Sequence, residues 1–99
     1  MTEKFTRGEW EIEERSASFN GLRRFGFQVI SPKERKRVCY SETDDERNIP
    51  EMRANAALIA AAPEMYDVLK RLVDLTDYAE LVGVIHDAKA VLNKARGEE

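Results

Sequence analysis

Apolar and polar residues alternate along three stretches in the first half of the chain and recur every three or four residues in the second half. From Gly8, the segment GEWEIEE sets Trp10 and Ile12 on one side of an extended chain and Glu9, Glu11 and Glu13 on the other. That period of two marks a half-buried strand. RRFGFQVIS repeats it, with Phe25, Phe27 and Val29 inward and Arg24, Gly26 and Gln28 outward, and RKRVCYSE gives a shorter third run with Val38 and Tyr40 inward. RSASFNGL joins the first run to the second through Asn20-Gly21, a dipeptide suited to tight hairpins because it tolerates positive φ. SPKER, with Pro32, joins the second to the third. Links this short predict an antiparallel meander over about residues 8–42, with one apolar face that must be covered.

The cover comes from the second half. Pro50 suits the first turn of a helix, where its missing N–H has no intrahelical partner to lose, and the spacing predicts a helix from about Pro50 to Ala61 with Ala54, Ala57, Leu58 and Ala61 on one stripe. Pro63 inside a continuous helix would cost about 3 kcal/mol or more and disfavours α geometry at Ala62. The proline is therefore expected to be a corner, with a second helix from Pro63 to about Leu75. This helix carries Met65, Leu69 and Leu72 on one stripe, with Tyr66 and Val73 beside it. Thr76 or Asp77 then caps a third helix running to about Ala95, with Glu80 completing part of a capping box and Gly97 as its stop. In it, Leu81, Ile85, Ala88, Leu92 and Ala95 have the spacing of a coiled-coil seam. The fold class is α+β: a three-stranded antiparallel sheet followed by three helices packed on one face, in a single domain over 1–99 with a helical part at about 50–96. The expected core is Trp10, Phe25, Phe27, Val29, Val38, Leu58, Leu69, Leu72, Leu81 and Ile85.

Ninety-nine residues can support one modest core. A composition 42% hydrophobic and 35% charged is that of a globular chain, with no apolar run approaching the roughly 20 residues of a membrane span. The absence of an apolar leader in MTEKFTRGEW and the single Cys39 lead us to expect a cytoplasmic protein of a bacterial host cell, without membrane attachment. The net charge of −3 arises wholly in the second half, because residues 1–50 hold ten basic and ten acidic side chains.

FTRGEW and ANAALIAAAPEMYDVL together resemble a widespread group of small phage and prophage proteins that carry motifs like FTPGPW and ANARLIAAAPELLEAL. The matching positions are Phe5, Thr6, Gly8 and Trp10, then Ala54, Asn55, Ala56, Leu58 through Glu64, and Leu69. Arg7 and Glu9 stand where the group has prolines, and Ala57 where it has an arginine. The likeness spans the chain to about Leu75. It implies a viral genome and a short β region followed by helices, and it carries no activity with it.

Chemistry is sparse. His86 and Cys39 are single examples of their kinds and read as a solvated helix residue and a strand residue; a nucleophilic pair would need a third orienting group as well. The five glycines are scattered, so no phosphate-binding loop is present. We expect no enzyme, no cofactor and no metal. Two surfaces remain. Glu9, Glu11 and Glu13, about 6.8 Å apart along a strand, with Glu42, Asp44, Asp45 and Glu46, form an acidic candidate for docking a basic partner. Arg23, Arg24, Lys33, Arg35, Lys36 and Arg37 are the basic candidates for nucleic-acid contact at one end of the sheet. A solvated hairpin is the stronger reading of the latter, with Arg24 and Arg37 paired to Glu11 and Glu13 across strands. Val82, Val84 and Val91 widen the third helix's apolar arc and are candidates for a homodimer interface. The expected function is a non-enzymatic phage-encoded binding protein that inhibits or modulates a host protein complex, for instance a defence system of the anti-CRISPR kind. The alternatives are a nucleic-acid-binding accessory protein and a structural homo-oligomer.

Overall fold

The computed structural model describes residues 4–75 and 77–97. Three strands, β1 (Glu11–Phe19), β2 (Leu22–Ser31) and β3 (Lys36–Thr43), form an antiparallel sheet in the order β1-β2-β3. A single 3-10 turn, Glu46–Asn48, leads into α1 (Ile49–Ala60), α2 (Ala62–Val73) and α3 (Tyr78–Arg96). This is the α+β meander and three-helix order that the patterning implies.

The first hairpin turns through Asn20 at φ 52° and Gly21 at φ 79°, the positive pair required by a two-residue turn that follows the strands' twist. β1 is longer than the alternation suggested. RSAS is strand, with Ser16 opposite Phe25 and Ser18 opposite Arg23, because the tight turn lets pairing continue to Phe19 and Leu22. The second hairpin turns through Pro32–Arg35, with Arg35 at φ 55°.

The register corrects the reading of β3. Val29 opposes Cys39 but Ile30 opposes Arg37, so Val38 is the extra residue of a β-bulge. Val38 and Cys39 both pack against the core, and beyond the bulge the frame has slipped by one. Tyr40, expected inward, is exposed on the outer face opposite Gln28. A period-two reading cannot detect such a slip.

Phe27 and Val29 meet Ala56 and Ala60 of α1 in the central cluster, with Trp10, Val38, Cys39, Ile49 and Met52 around it. The inward stripe of α1 is thus Ala56, Ala57, Ala60 and Ala61, all buried, and Leu58 is exposed. The expected stripe was about one residue out of phase. Small side chains face inward because α1 is packed on two sides, by β2 and by α3, and methyl groups allow both neighbours a close approach. Arg53 ties the helix to the sheet, donating to Glu14 at 2.7 Å and lying over the Phe27 ring.

The chain breaks between α1 and α2 at Ala61, which stays in α geometry at φ −82° and ψ −7°, and α2 begins one residue earlier than expected, at Ala62, which is itself helical with the buried Pro63 next. Further along, the Asp77 carboxylate accepts from the Glu80 N–H at 2.8 Å and caps α3, while Gly97 stops it at φ 78°. The alternative cap, Thr76, lies outside the described residues.

α2 corrects the expected core most. It turns Glu64, Val68 and Arg71 towards α3, where Lys94 bonds Glu64 and Arg71 bonds Asp87, each at 2.6 Å. Leu69 and Leu72 are therefore exposed, as is Ile85 of α3. On α3 the buried side comprises Val84, at 4% exposure, with Leu81, Ala88, Val91 and Ala95 half-buried. It shares Leu81, Ala88 and Ala95 with the expected seam but takes Val84 and Val91 in place of Ile85 and Leu92.

Candidate functional site

The N-terminal segment runs between the sheet and the helices before entering β1. Phe5 packs edge-on against Tyr66 with ring centroids 4.9 Å apart. The Arg7 N–H donates to Glu34, and the Arg7 carbonyl accepts from the buried Ser31 hydroxyl at 2.7 Å. Gly8, at φ 89°, presses so close to Lys33 that a Cβ would lie 2.9 Å from that side chain; a positive φ and a close approach both call for glycine here. Trp10 donates its indole N–H to the Thr6 carbonyl at 3.1 Å and packs on the core. FTRGEW is thus a strap between the second hairpin and α2.

Where the strap ends, a groove of about 630 Å³ opens between the start of β1 and the C-terminal half of α3. Ala57 and Ala60 line it with Trp10, Ile12, Ala90 and Val91, and its charged residues are Glu9, Glu11, Glu64 and Lys94. A second groove of about 400 Å³ on the other side of Glu64 is lined by Phe5, Arg7, Gly8, Lys33, Pro63 and Asp67, and shares Glu9 and Glu64 with the first. FTRGEW and ANAALIAAAPE therefore converge on one carboxylate. Its Oε1 is 2.6 Å from the Lys94 ammonium, with the two side chains only 25% and 19% exposed, while its Oε2 is shielded and receives no hydrogen bond from the described residues. A shielded carboxylate oxygen without a donor is costly.

Of the acidic candidates, the groove gathers Glu9 and Glu11. Glu13 stands on the sheet's outer face, where the Arg15 guanidinium and then the Gln28 amide, bonding at 2.8 and 2.7 Å, hold its carboxyl below the usual range. Glu42 is held low in the same way by the Tyr40 hydroxyl and Arg24. Asp45 accepts from the Arg47 N–H and side chain, Glu46 lies 3.9 Å from Arg23, and Asp44 is exposed. The seven carboxylates are spread towards both ends of the sheet, and Glu13, Glu42, Asp45 and Glu46 are already matched by cations.

The basic candidates also separate. Arg23 and Arg24 begin β2, whereas Lys33, Arg35, Lys36 and Arg37 surround its far end, with Lys36 opposite Ser31. Arg24 and Ser31 are seven residues apart, roughly 23 Å along a strand, so the single patch expected at one end does not form. The expected pairing of Arg24 and Arg37 with Glu11 and Glu13 is also replaced. Arg24 bonds Glu42, and Arg37 donates to the Gln28 carbonyl oxygen at 2.9 Å while lying over the Tyr40 ring. β3 supplies the partner of Arg24 and β2 the acceptor for Arg37, whereas β1 supplies neither.

Of the candidate interface valines, Val84 is buried within the chain, Val91 lines the groove and Val82 is exposed. Cys39 faces the core, and His86 projects into solvent with Nδ1 3.5 Å from Asp87. Among the described residues no cluster of three His, Cys, Asp or Glu side chains is arranged to hold a metal ion, and no helix is long and apolar enough to cross a membrane.

The sequence reading passed over Glu64 and Lys94 as site residues. Glu64 sits within the motif it quoted, but its partner is 30 residues away, and only the fold joins them.

Comparison with curated proteins and with solved structures finds no match. A family model does match, that of Salmonella phage P22 protein Y8K6, over residues 1–99, the whole chain. The strap and the alanine-rich corner, read first as a likeness to phage proteins, thus belong to a member of the phage P22 Y8K6 family.

Proposed function

We propose that this phage protein is a non-enzymatic binding protein that inhibits or modulates a host protein complex by accepting a basic segment of that complex into the groove between β1 and α3. The observation that carries this reading is the charge of the groove, which Glu9, Glu11 and Glu64 line against one cation, Lys94, that Glu64 already engages. An arginine or lysine side chain would pair with the exposed carboxylates of Glu9 and Glu11, and Trp10 offers an apolar wall beside them. Lys94 is already engaged by the Glu64 Oε1, so the groove's unmatched charge is negative. A bacterial defence complex of the anti-CRISPR-target kind, with its basic nucleic-acid-binding surfaces, is a target class of the right charge.

Capture from a bacterial lysate tests the reading. The tagged wild-type chain should retain a host protein in stoichiometric amount, and Glu9→Lys with Glu11→Lys should lose it while keeping the native circular dichroism. Retention of nucleic acid that survives this charge reversal would transfer the function to the basic residues. Plaque counts on a CRISPR-immune host, with and without the expressed protein, test the defence target specifically: unchanged counts would remove it.

A further inference from the structure

β1 is the edge of the sheet that borders the groove. The strand order pairs it on one side only, with β2, so along its other side every second residue from Glu11 to Phe19 turns its backbone N–H and C=O away from the sheet. Among the described residues no backbone hydrogen bond from another element reaches that side. The core is open there too. Ile12 lies on the inner face opposite Val29, yet Ile12 is 39% exposed where Val29 is 1% exposed. The groove of about 630 Å³ shares Ile12, Ala57 and Gly97 with an adjoining hollow of about 540 Å³ that runs on to Glu14, Arg53 and Arg96. Together they make a trough beneath the edge of β1, with that strand as one wall and α1 and α3 as the other.

The two sides of the pleat ask for different side chains in a neighbour. Glu11 and Glu13 stand on the outer face, opposite Ile30 and Gln28, whereas Ile12 faces the trough. Glu13 is matched by Arg15 and Glu14 by Arg53. Glu9 and Glu11, two residues apart at the mouth of the trough, have no ion pair among the described residues. An extended segment lying along this edge therefore meets carboxylates at alternate positions and an apolar hollow between them.

We infer that the basic partner segment binds as a fourth strand, hydrogen-bonding to the open edge of β1, with lysine or arginine at alternate positions beside Glu9 and Glu11 and apolar side chains between them in the trough. This rests on the reading of the groove as a site for a basic segment, and adds that the segment's backbone is bound as well as its charge. A second copy of the chain is the wrong occupant. Antiparallel self-pairing about a two-fold axis at any residue from Ile12 to Arg15 would set like charges opposite each other: Glu11 with Glu13, Glu13 with Glu13, Glu14 with Glu14 or Arg15 with Arg15.

Nuclear magnetic resonance on the wild-type chain with the synthetic peptide Lys-Val-Lys-Val-Lys tests the inference. Saturating peptide should slow the hydrogen exchange of alternate β1 amides between Glu11 and Ser16. N-methylation of the peptide amides along one edge should weaken binding about 10-fold or more, while the same change along the other edge leaves it unaltered. Lys-Lys-Lys-Val-Val, with the same charge but no alternation, should bind more weakly. Binding that Glu9→Lys with Glu11→Lys abolishes, but that protects no β1 amide and tolerates methylation on both edges, would overturn strand addition and leave the charge reading in place. Host capture that survives this charge reversal would overturn both. Failure of the alternating peptide to bind would overturn strand addition, as would a wild-type dimer whose alternate β1 amides are protected before any peptide is added.

Discussion

The phenol of Tyr40 lies over Gly26 on the outer face of the sheet, so close that a Cβ on Gly26 would stand 2.7 Å from the Tyr40 hydroxyl oxygen. The bulge at Val38 makes this contact, because it rotates Tyr40 out of the core and onto the neighbouring strand. Gly26→Ala should push the ring away and disturb its hydroxyl bond to Glu42, costing about 1–3 kcal/mol as an overpacked site does. In a Tyr40→Ala background the same change should be neutral or stabilising, because glycine weakens a strand interior. Urea melts of the four proteins in the cycle check this, and additive effects would mean that the two residues do not meet.

Phe27 is buried against Ala56 and Ala60. Phe27→Ala should cost about 3–5 kcal/mol in equilibrium unfolding, whereas Leu22→Ala, at an exposed strand end, should stay within about 0.5 kcal/mol. A loss below about 1 kcal/mol at Phe27 would place its ring outside the core.

Pro63→Ala separates local preference from packing. It removes the stop between α1 and α2 and raises helix propensity, but it frees the unfolded chain and allows a straight helix to compete with the corner. Stability should fall by about 0.5–1 kcal/mol while ellipticity at the helical minimum holds or deepens. A variant that melts higher with native chemical shifts would show that the corner does not need proline.

Acid should weaken the fold through carboxylates that the native state holds below their usual range: Glu13 beside Arg15, Glu42 under the Tyr40 hydroxyl, Asp45 beside Arg47, and Asp87 beside Arg71. Each is depressed on folding, so its contribution is fully present above the ordinary carboxylate range of about 4 and disappears as pH falls through the lower folded value. All four are solvated, so each share is small. The urea midpoint should decline below about pH 4, and Glu42→Gln should make that decline shallower. A midpoint constant from pH 7 to pH 3 would contradict these pairings.

Lys94 and Glu64 form the most enclosed ion pair in the structure's described part. Lys94→Met leaves a carboxylate with one oxygen already unbonded and should cost about 2–3 kcal/mol, towards the lower bound for breaking a buried pair. Lys94→Met with Glu64→Leu should recover much of that loss, because no uncompensated charge then remains. If the double variant is the less stable of the two in urea melts, the pair itself contributes more than its desolvation takes away.

Much of the fold is legible in local patterning because its causes are local. Asn20-Gly21 can turn a hairpin by itself, Pro63 forbids an unbroken helix, and Asp77 and Gly97 bound α3 through their own side chain and backbone. What the sequence could not decide was which side of each element faces which neighbour. Val38 and Tyr40 alternate correctly up to a one-residue bulge whose cause lies in pairing with β2. Leu69, Leu72 and Ile85 read as core because amphipathic spacing reports that an apolar face exists, and only the packing of α2 on α3 through Glu64–Lys94 and Arg71–Asp87 turns that face outward. The groove is the extreme case: Glu9, Glu11, Glu64 and Lys94 come from both ends of the chain, and no period along the sequence links them. Periodicity is a property of one element, whereas a site or an interface is a relation between elements, and the strap, the corner at Pro63 and the α2–α3 hairpin set that relation.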